Sequence, residues 1–348
     1  RLRNDEFGIS FIDVGQTQDI ILLIEKILKK FSEPLIIGNN EIVISVCIGI
    51  SIYPENGKDA DDMIKKATIA LLKTKQSGRK SYTFYTQGIN VRAAEIVQIQ
   101  NNLFKALKKD EFILHYQPCF DMNTKRMTGM EALIRWNSTE LGLVSPGKFI
   151  PLLEETGMII DVGKWILKEV IRQLQEWKAN GYAVQPVSVN LSQVQFRQKD
   201  LLEVIYRTIN RCRFNPSLIA FEITESTFTQ DIEYTQKLLK SIKDIGVSVS
   251  IDDFGMGNSS LIYLKSIPVD NLKIDISFVR EIALDPDAVS IATAIITVAH
   301  NLNINTIAEG VETEEQWNIL KLLRCDMAQG YYLSPPLPPD KFIVHFKK

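Results

Sequence analysis

The sequence predicts an α/β protein: a modified (β/α)8 barrel with one antiparallel strand, preceded by a smaller, partial α/β unit. Three observations predict it. From Glu111 onward, short apolar runs alternate with helix-period segments, and that many repeats in about 240 residues favour a closed barrel over an open sheet. Two of the runs, FILHYQP and MTGMEALIRW, are separated only by CFDMNTKR, too short for a helical crossover, so those strands should be antiparallel. Finally, acidic, amide and lysine residues recur at the downstream ends of the runs. Glu131 follows MTGM, Asn190 ends VSVN, Glu222 ends LIAFE, Asp252 and Asp253 end VSVSIDD, Lys273 and Asp275 sit in NLKID, Glu309 ends NTIAE and Gln329 ends CDMAQ. In a barrel of parallel strands those ends converge on one rim, where active sites sit. Carboxylates gathered so densely need cations or protons to neutralise them, which points to a metal-dependent enzyme.

The elements follow in chain order. RLRNDEFGISFID reads as two short strands around a turn at Arg3-Asn4. Residues 17–32 carry apolar positions at helical spacing (Ile20, Leu23, Ile24, Ile27, Leu28). EIVISVCIGISIYP, Glu41 to Pro54, is rich in β-branched residues and predicts a strand. Asp59 to Gln76 is an amphipathic helix with Gly78 where a C-cap belongs, and Ser81 to Tyr85 is a last short strand. A first unit over 1–86, a helical connector over 87–94 and a barrel over 95–348 are expected. In the barrel, VSVNL, LIAFEIT, VSVSID, NLKID, NTIAEG and CDMAQGYYL continue the strands. Asp161–Trp177, Asp231–Ile245, Ser290–Asn301 and Glu314–Leu323 supply helices between them.

Composition narrows the function. The chain has 348 residues, 45% hydrophobic and 24% charged, with net charge −2. That is an ordinary globular composition, with no basic excess to suit a nucleic-acid polymer. No apolar stretch approaches the ~18 residues a membrane span needs. The three histidines lack metal-ligand spacing, so zinc is not expected. Cys47, Cys119, Cys212 and Cys325 are far apart and read as reduced thiols of a cytoplasmic protein. Oxygen donors without His or Cys favour Mg2+ or Mn2+. Trp136, Trp165 and Trp177 read as packing residues. The chain opens without Met, and upstream sequence is expected.

Eight motifs in order carry a resemblance. They are Tyr116-Gln117-Pro118, Glu131-Ala132-Leu133-Ile134-Arg135-Trp136, Val189-Asn190-Leu191-Ser192, Glu222-Ile223-Thr224-Glu225, Asp252-Asp253-Phe254-Gly255, Leu272-Lys273-Ile274-Asp275, Ala308-Glu309-Gly310-Val311-Glu312 and Gln329-Gly330. Residues 95–340 resemble the EAL-domain family of cyclic-di-GMP phosphodiesterases. The resemblance implies a modified TIM barrel that opens cyclic di-GMP to linear pGpG with two Mg2+ or Mn2+ ions. It further implies that Glu131, Asn190, Glu222, Asp252 and Asp253 hold metal and that Glu309 is the general base. Lys273 would orient water or bind a phosphate oxygen. Gln117 and Arg135 would contact substrate, Gln329 would help hold the site, and Glu225 would brace the loop after Asp253. It implies a homodimer through this domain, which the apolar helix Ser290 to Asn301 also supports, while the lack of a long apolar stretch predicts no membrane contact from this segment. A rival for Arg135 is an ion pair with Glu131. In the loop after Asp253, Met256 and Asn258 depart from the family pattern, and a receptor that binds the nucleotide without cleaving it is the alternative function.

Arg1 to Phe7, RLRNDEF, together with SVCIGISIYPENG and ATIALLKTKQSGRKSYTFY, resembles the second half of a GGDEF diguanylate cyclase domain. Arg3 and Asn4 stand where that family has paired glycines, whose missing side chains let a nucleotide approach. A degenerate, regulatory unit is therefore expected.

Overall fold

The computed structural model of the chain describes all residues except 3–4, 13–16, 33–34, 38–39, 43–45, 77–81, 87–97, 229–230, 256–263 and 347–348. The chain divides into two compact units, 1–101 and 102–348. Residues 98–106 form a helix across that division. The turn at Arg3-Asn4, Gly78, the 87–94 connector, Met256 and Asn258 all lie outside the described residues.

In the first unit, the helix Thr17–Ser32 precedes an antiparallel pair, Leu35–Ile37 with Asn40–Ile42. Ile48–Ile50 pairs parallel with Tyr82–Phe84, and the helix Ala60–Gln76 makes the crossover. Gly49 lets that helix lie directly on the strand, since a Cβ there would stand 2.1 Å from the Ala67 carbonyl oxygen. Two expectations are corrected. The run from Glu41 to Pro54 is not one strand but contributes to Asn40–Ile42 and Ile48–Ile50. Phe7 to Ile12 forms no strand, and Phe7, Ile9 and Ile12 are exposed. A strand needs a neighbour for its backbone groups, and none pairs with it among the described residues.

The second unit is a closed barrel. Its strands are β1 (Phe112–Asp121), β2 (Met127–Ser138), β3 (Val187–Asn190), β4 (Ile219–Thr224), β5 (Ser248–Phe254), β6 (Asn271–Ile274), β7 (Asn305–Ala308) and β8 (Met327–Ala328). Each pairs with the next, and β8 closes on β1. Neighbours are parallel except at β1, which runs antiparallel to both β2 and β8, as the short Cys119–Arg126 connection requires. A ninth strand, Gly142–Val144, folds back on the end of β2.

Burial follows the predicted periodicities. The helix Ile159–Ala179 buries Val162, Ile166, Val170, Ile171, Leu174 and Trp177 at three- and four-residue steps, one apolar stripe against the barrel. On β1, Tyr116 packs its ring 4.9 Å from Trp177 and 5.9 Å from Phe342. The cover over this strand comes from the end of the chain: Tyr116 and Leu337 exchange backbone hydrogen bonds of 2.7 and 2.8 Å. Trp136 and Trp177 are buried, as expected of packing residues, and Trp165 is half-buried beside Phe112.

One departure matters for the site. Glu131 and Glu222 do not end their strands. β4 continues to Thr224, and β2 runs seven residues past Glu131. β3 supports β2 only at Met130–Ala132, so residues 133–138 project past that pairing, held by β1 and the ninth strand.

Candidate active site

Strand register sets the site. Glu131 lies opposite Gln117 on β1, and Asn190 lies opposite Glu222 on β4. Asp252 is near the end of β5, where a break in register turns Asp253 to φ 53°. Lys273 is the third residue of β6, and Glu309 and Gln329 directly follow β7 and β8.

Lys273 is the centre of the cluster. Its ammonium is 1% exposed and lies 2.6 Å from Glu309, 2.7 Å from Glu222, 3.2 Å from Asp252 and 3.5 Å from Glu131. Asn190 Nδ2 donates to Glu131 Oε1 at 2.7 Å, and Gln329 Nε2 donates to Glu131 Oε2 at 2.8 Å. Gln329 Nε2 also donates to Gln117 Oε1 at 3.0 Å, and Gln117 Nε2 donates to the Ser334 carbonyl. Asp252, Asp253 and Glu309 each offer an oxygen, all within 4.8 Å of one another.

One ammonium cannot neutralise this many carboxylates, and the protonation equilibria record it. Burial pushes Glu309 up to about 8, against the pull of Lys273 and with the push of Asp252 and Glu131. Burial also raises Glu222 well above the carboxylate range. Asp253 is raised to about 6 by burial and by the neighbouring Asp252 and Asp275. Glu131 alone goes down: burial opposes its charge, but Lys273 and the Gln329 and Asn190 amides outweigh it. Burial disfavours the Lys273 charge as well, yet the surrounding carboxylates hold it firmly protonated.

Two predicted residues stand apart from the cluster. Glu225 is buried and accepts the Gly255 backbone N–H at 2.9 Å, bracing the turn after Asp253 from below. Arg135 sits on the projecting end of β2. It makes no ion pair with Glu131 among the described residues, and its Nη1 donates to the Ile134 carbonyl at 2.9 Å. Sequence reasoning gave Asp275 no role, although NLKID marked it. Its charge helps raise the Asp253 carboxyl, and it accepts the Ser277 N–H at 2.8 Å, capping the helix that follows. Ser334 was missed outright, because it acts through a backbone carbonyl that any residue carries.

Among the described residues the rim of this barrel gathers buried carboxylates, amides and one lysine, and oxygen donors of this kind suit hard cations. Residues 100–336 match the family described as EAL domain, and residues 1–81 match diguanylate cyclase, GGDEF domain. The chain belongs to the EAL domain family. It is 38% identical over 344 residues to the bifunctional diguanylate cyclase/cyclic di-GMP phosphodiesterase MucR of Pseudomonas aeruginosa, covering 99% of this chain and 50% of the relative. It is 33% identical over 344 residues to the cyclic di-GMP phosphodiesterase PdeR of Escherichia coli, covering 99% and 52%. Among solved structures, the PaMucR phosphodiesterase in complex with c-di-GMP aligns with TM-score 0.68 at 40% identity, covering 70% of this chain and 99% of that one. The chain spans about half the length of the curated relatives it matches. No helix among the described residues is long and apolar enough to cross a membrane.

Proposed function

We propose that the barrel unit hydrolyses cyclic di-GMP to linear pGpG with two divalent cations, Mg2+ or Mn2+, at the rim. The observation that carries this is the excess of oxygen donors over cationic charge at one barrel mouth. The donor set fits the ions: carboxylate and amide oxygens suit hard cations, and Asp252, Asp253 and Glu309 already bring oxygens within 4.8 Å of one another. Glu131, Asn190, Glu222, Asp252 and Asp253 would hold the ions. When bound, these ions offset negative charge on the phosphoryl oxygens and make water acidic enough to react near neutral pH.

The chain's own residues do the rest. Hydrolysis forms a bond from a water oxygen to phosphorus and breaks the bond to one ribose 3′ oxygen, which leaves with a proton. Glu309 takes the proton that water loses. Without metal its carboxyl holds a proton up to about pH 8; beside divalent cations it would lose that proton and stand as a carboxylate able to act as the base. Lys273 holds Glu309 and Glu222 in place and lends positive charge to the reacting phosphoryl group. The Gln329 amide fixes Glu131 and is itself held by Gln117, and both amides present polar edges to the substrate. Arg135, with its planar fork, suits a phosphate or guanine edge above the cluster. Glu225 acts through the Asp253–Gly255 turn.

The test is incubation with cyclic di-GMP and Mg2+ or Mn2+, with and without EDTA, with products separated by chromatography. Metal-dependent linear pGpG is expected. Tight binding without product overturns the hydrolase reading and makes the chain a receptor. We further infer a cytoplasmic homodimer through the helix Pro286–Asn301, whose Ile291 is exposed, and a regulatory role for the first unit. Light scattering with substrate and Mg2+ present checks the dimer, and a monomer there removes it.

A further inference from the structure

The end of β2 projects past its pairing with β3, yet it carries Arg135. Beyond that point its backbone pairs with β1 on one side, where Ile113 lies opposite Arg135, and with the ninth strand from Trp136 onward. A buried side chain adds to that hold. Glu111, the residue before β1, is buried and reaches across to this projection. Its Oε2 accepts the Trp136 indole N–H at 2.9 Å. Its Oε1 accepts the Thr139 hydroxyl at 2.7 Å and the Thr139 N–H at 3.2 Å. Its backbone carbonyl accepts the Asn137 N–H at 2.9 Å. Lys109 stands 4.0 Å from the same carboxylate and 3.7 Å from Glu140. One side chain and its backbone thus gather residues 136, 137 and 139. Trp136 in turn is wedged against Phe112 and Phe149.

We propose that Glu111 is a positioning residue for substrate binding: it clamps the projecting end of β2 and thereby holds Arg135 over the mouth of the barrel. Trp136 is fully buried, and Arg135 is its immediate neighbour on an extended backbone, so the two side chains leave opposite faces of the strand. Fixing the indole on one face fixes the guanidinium on the other. Arg135 lies four residues beyond Glu131, about 13 Å along the strand, which suits it to a part of the dinucleotide away from the reacting phosphorus. A contact of that kind tightens ground state and transition state alike, so its loss appears in KM and spares kcat. The carboxylate is suited to the clamp because it accepts from three donors at once, which an amide cannot do without placing an N–H against either the Trp136 indole N–H or the Thr139 N–H.

This proposal rests on the hydrolase reading above, and the experiment separates the two. Steady-state kinetics with cyclic di-GMP and Mn2+ are measured for the full chain, for Glu111→Gln, Thr139→Val and Arg135→Ala, and for Glu111→Gln combined with Arg135→Ala. Equilibrium binding in EDTA is measured alongside. Glu111→Gln is expected to raise KM roughly tenfold and weaken binding equally, with kcat within about twofold. Thr139→Val should move the same constants in the same direction by less. The double variant should be no worse than Arg135→Ala, since both changes remove one contact. Should Glu111→Gln fail to fold, the comparison rests on Thr139→Val and on its combination with Arg135→Ala. A fall in kcat at constant KM, or losses that add in the double variant, overturns the proposal while leaving the hydrolase intact. A parent chain that neither binds nor cleaves the nucleotide overturns the hydrolase reading, and this proposal with it.

Discussion

At the scale of single residues, the site turns on Lys273. An ammonium that is 1% exposed is tolerated because four carboxylates lie within 3.5 Å of it. Removing one member of a buried ion cluster typically costs about 3–5 kcal/mol, because the partners remain buried and unpaired. Lys273→Met is therefore expected to lower the denaturant midpoint of the metal-free protein and to cut turnover roughly 100-fold or more. Retention of full activity would remove Lys273 from the mechanism. Glu309 gives a pH prediction. Its folded-state value of about 8 lies above the ordinary carboxylate value of 4.5, so between those limits the folded chain binds a proton that the unfolded chain does not. That contribution is complete below about pH 4.5 and is lost as pH rises through about 8. Melting in EDTA from pH 5 to 8.5 should show stability falling with pH, and Glu309→Gln should flatten the slope. Added divalent cation should oppose the fall, because metal binding expels the proton.

At the scale of elements, the crossing of the two chain segments that follow β7 and β8 is the tightest joint at the rim. A Cβ on Gly330 would lie 2.2 Å from both the nitrogen and the oxygen of Val311, and the Val311 N–H donates to the Gln329 carbonyl at 3.1 Å. Backbone cannot yield as a side-chain tip can. Gly330→Ala should therefore cost at least the ~1–3 kcal/mol of ordinary overpacking and should displace Gln329 from Glu131. The checks are urea unfolding and metal-dependent turnover, and both should fall together. Much of this level was legible in the sequence. The antiparallel β1–β2 pair followed from the eight residues of CFDMNTKR, and the strand-end series led to Lys273, Glu309 and Gln329. What was not legible has a physical reason. The apolar run containing Glu131 continues through Trp136, so nothing local marks where β3 ceases to support β2. Glu111 precedes a strand and looks like any surface acid until Trp136 and Thr139 are brought to it. The Phe7–Ile12 segment has strand composition, but composition supplies no partner.

At the scale of the whole molecule, the barrel unit has its own buried core. Residues 98–348 expressed alone are expected to fold and to retain the nucleotide hydrolysis of the full chain within about tenfold, the remaining difference reporting regulation by the first unit. Loss of activity in a folded barrel would show that the first unit completes the site. The family match ends at residue 336, yet Leu337 bonds to Tyr116, and Phe342 and Phe346 both pack on Trp177.

The placing of that last segment has a consequence for how the protein is made. Strand β1 and Gln117 leave the ribosome well before their partners, Gln329 and the Leu337–Phe346 cover; Gln117 and Gln329 are 212 positions apart. The barrel therefore cannot close, nor the donor set assemble, until those residues have been made. Until then, β1 presents an apolar face and an unpaired edge, the kind of surface that recruits chaperones. A ribosome stalled shortly before residue 337 leaves the barrel with its first strand uncovered, and it is at this point of biogenesis that the barrel is most exposed to aggregation.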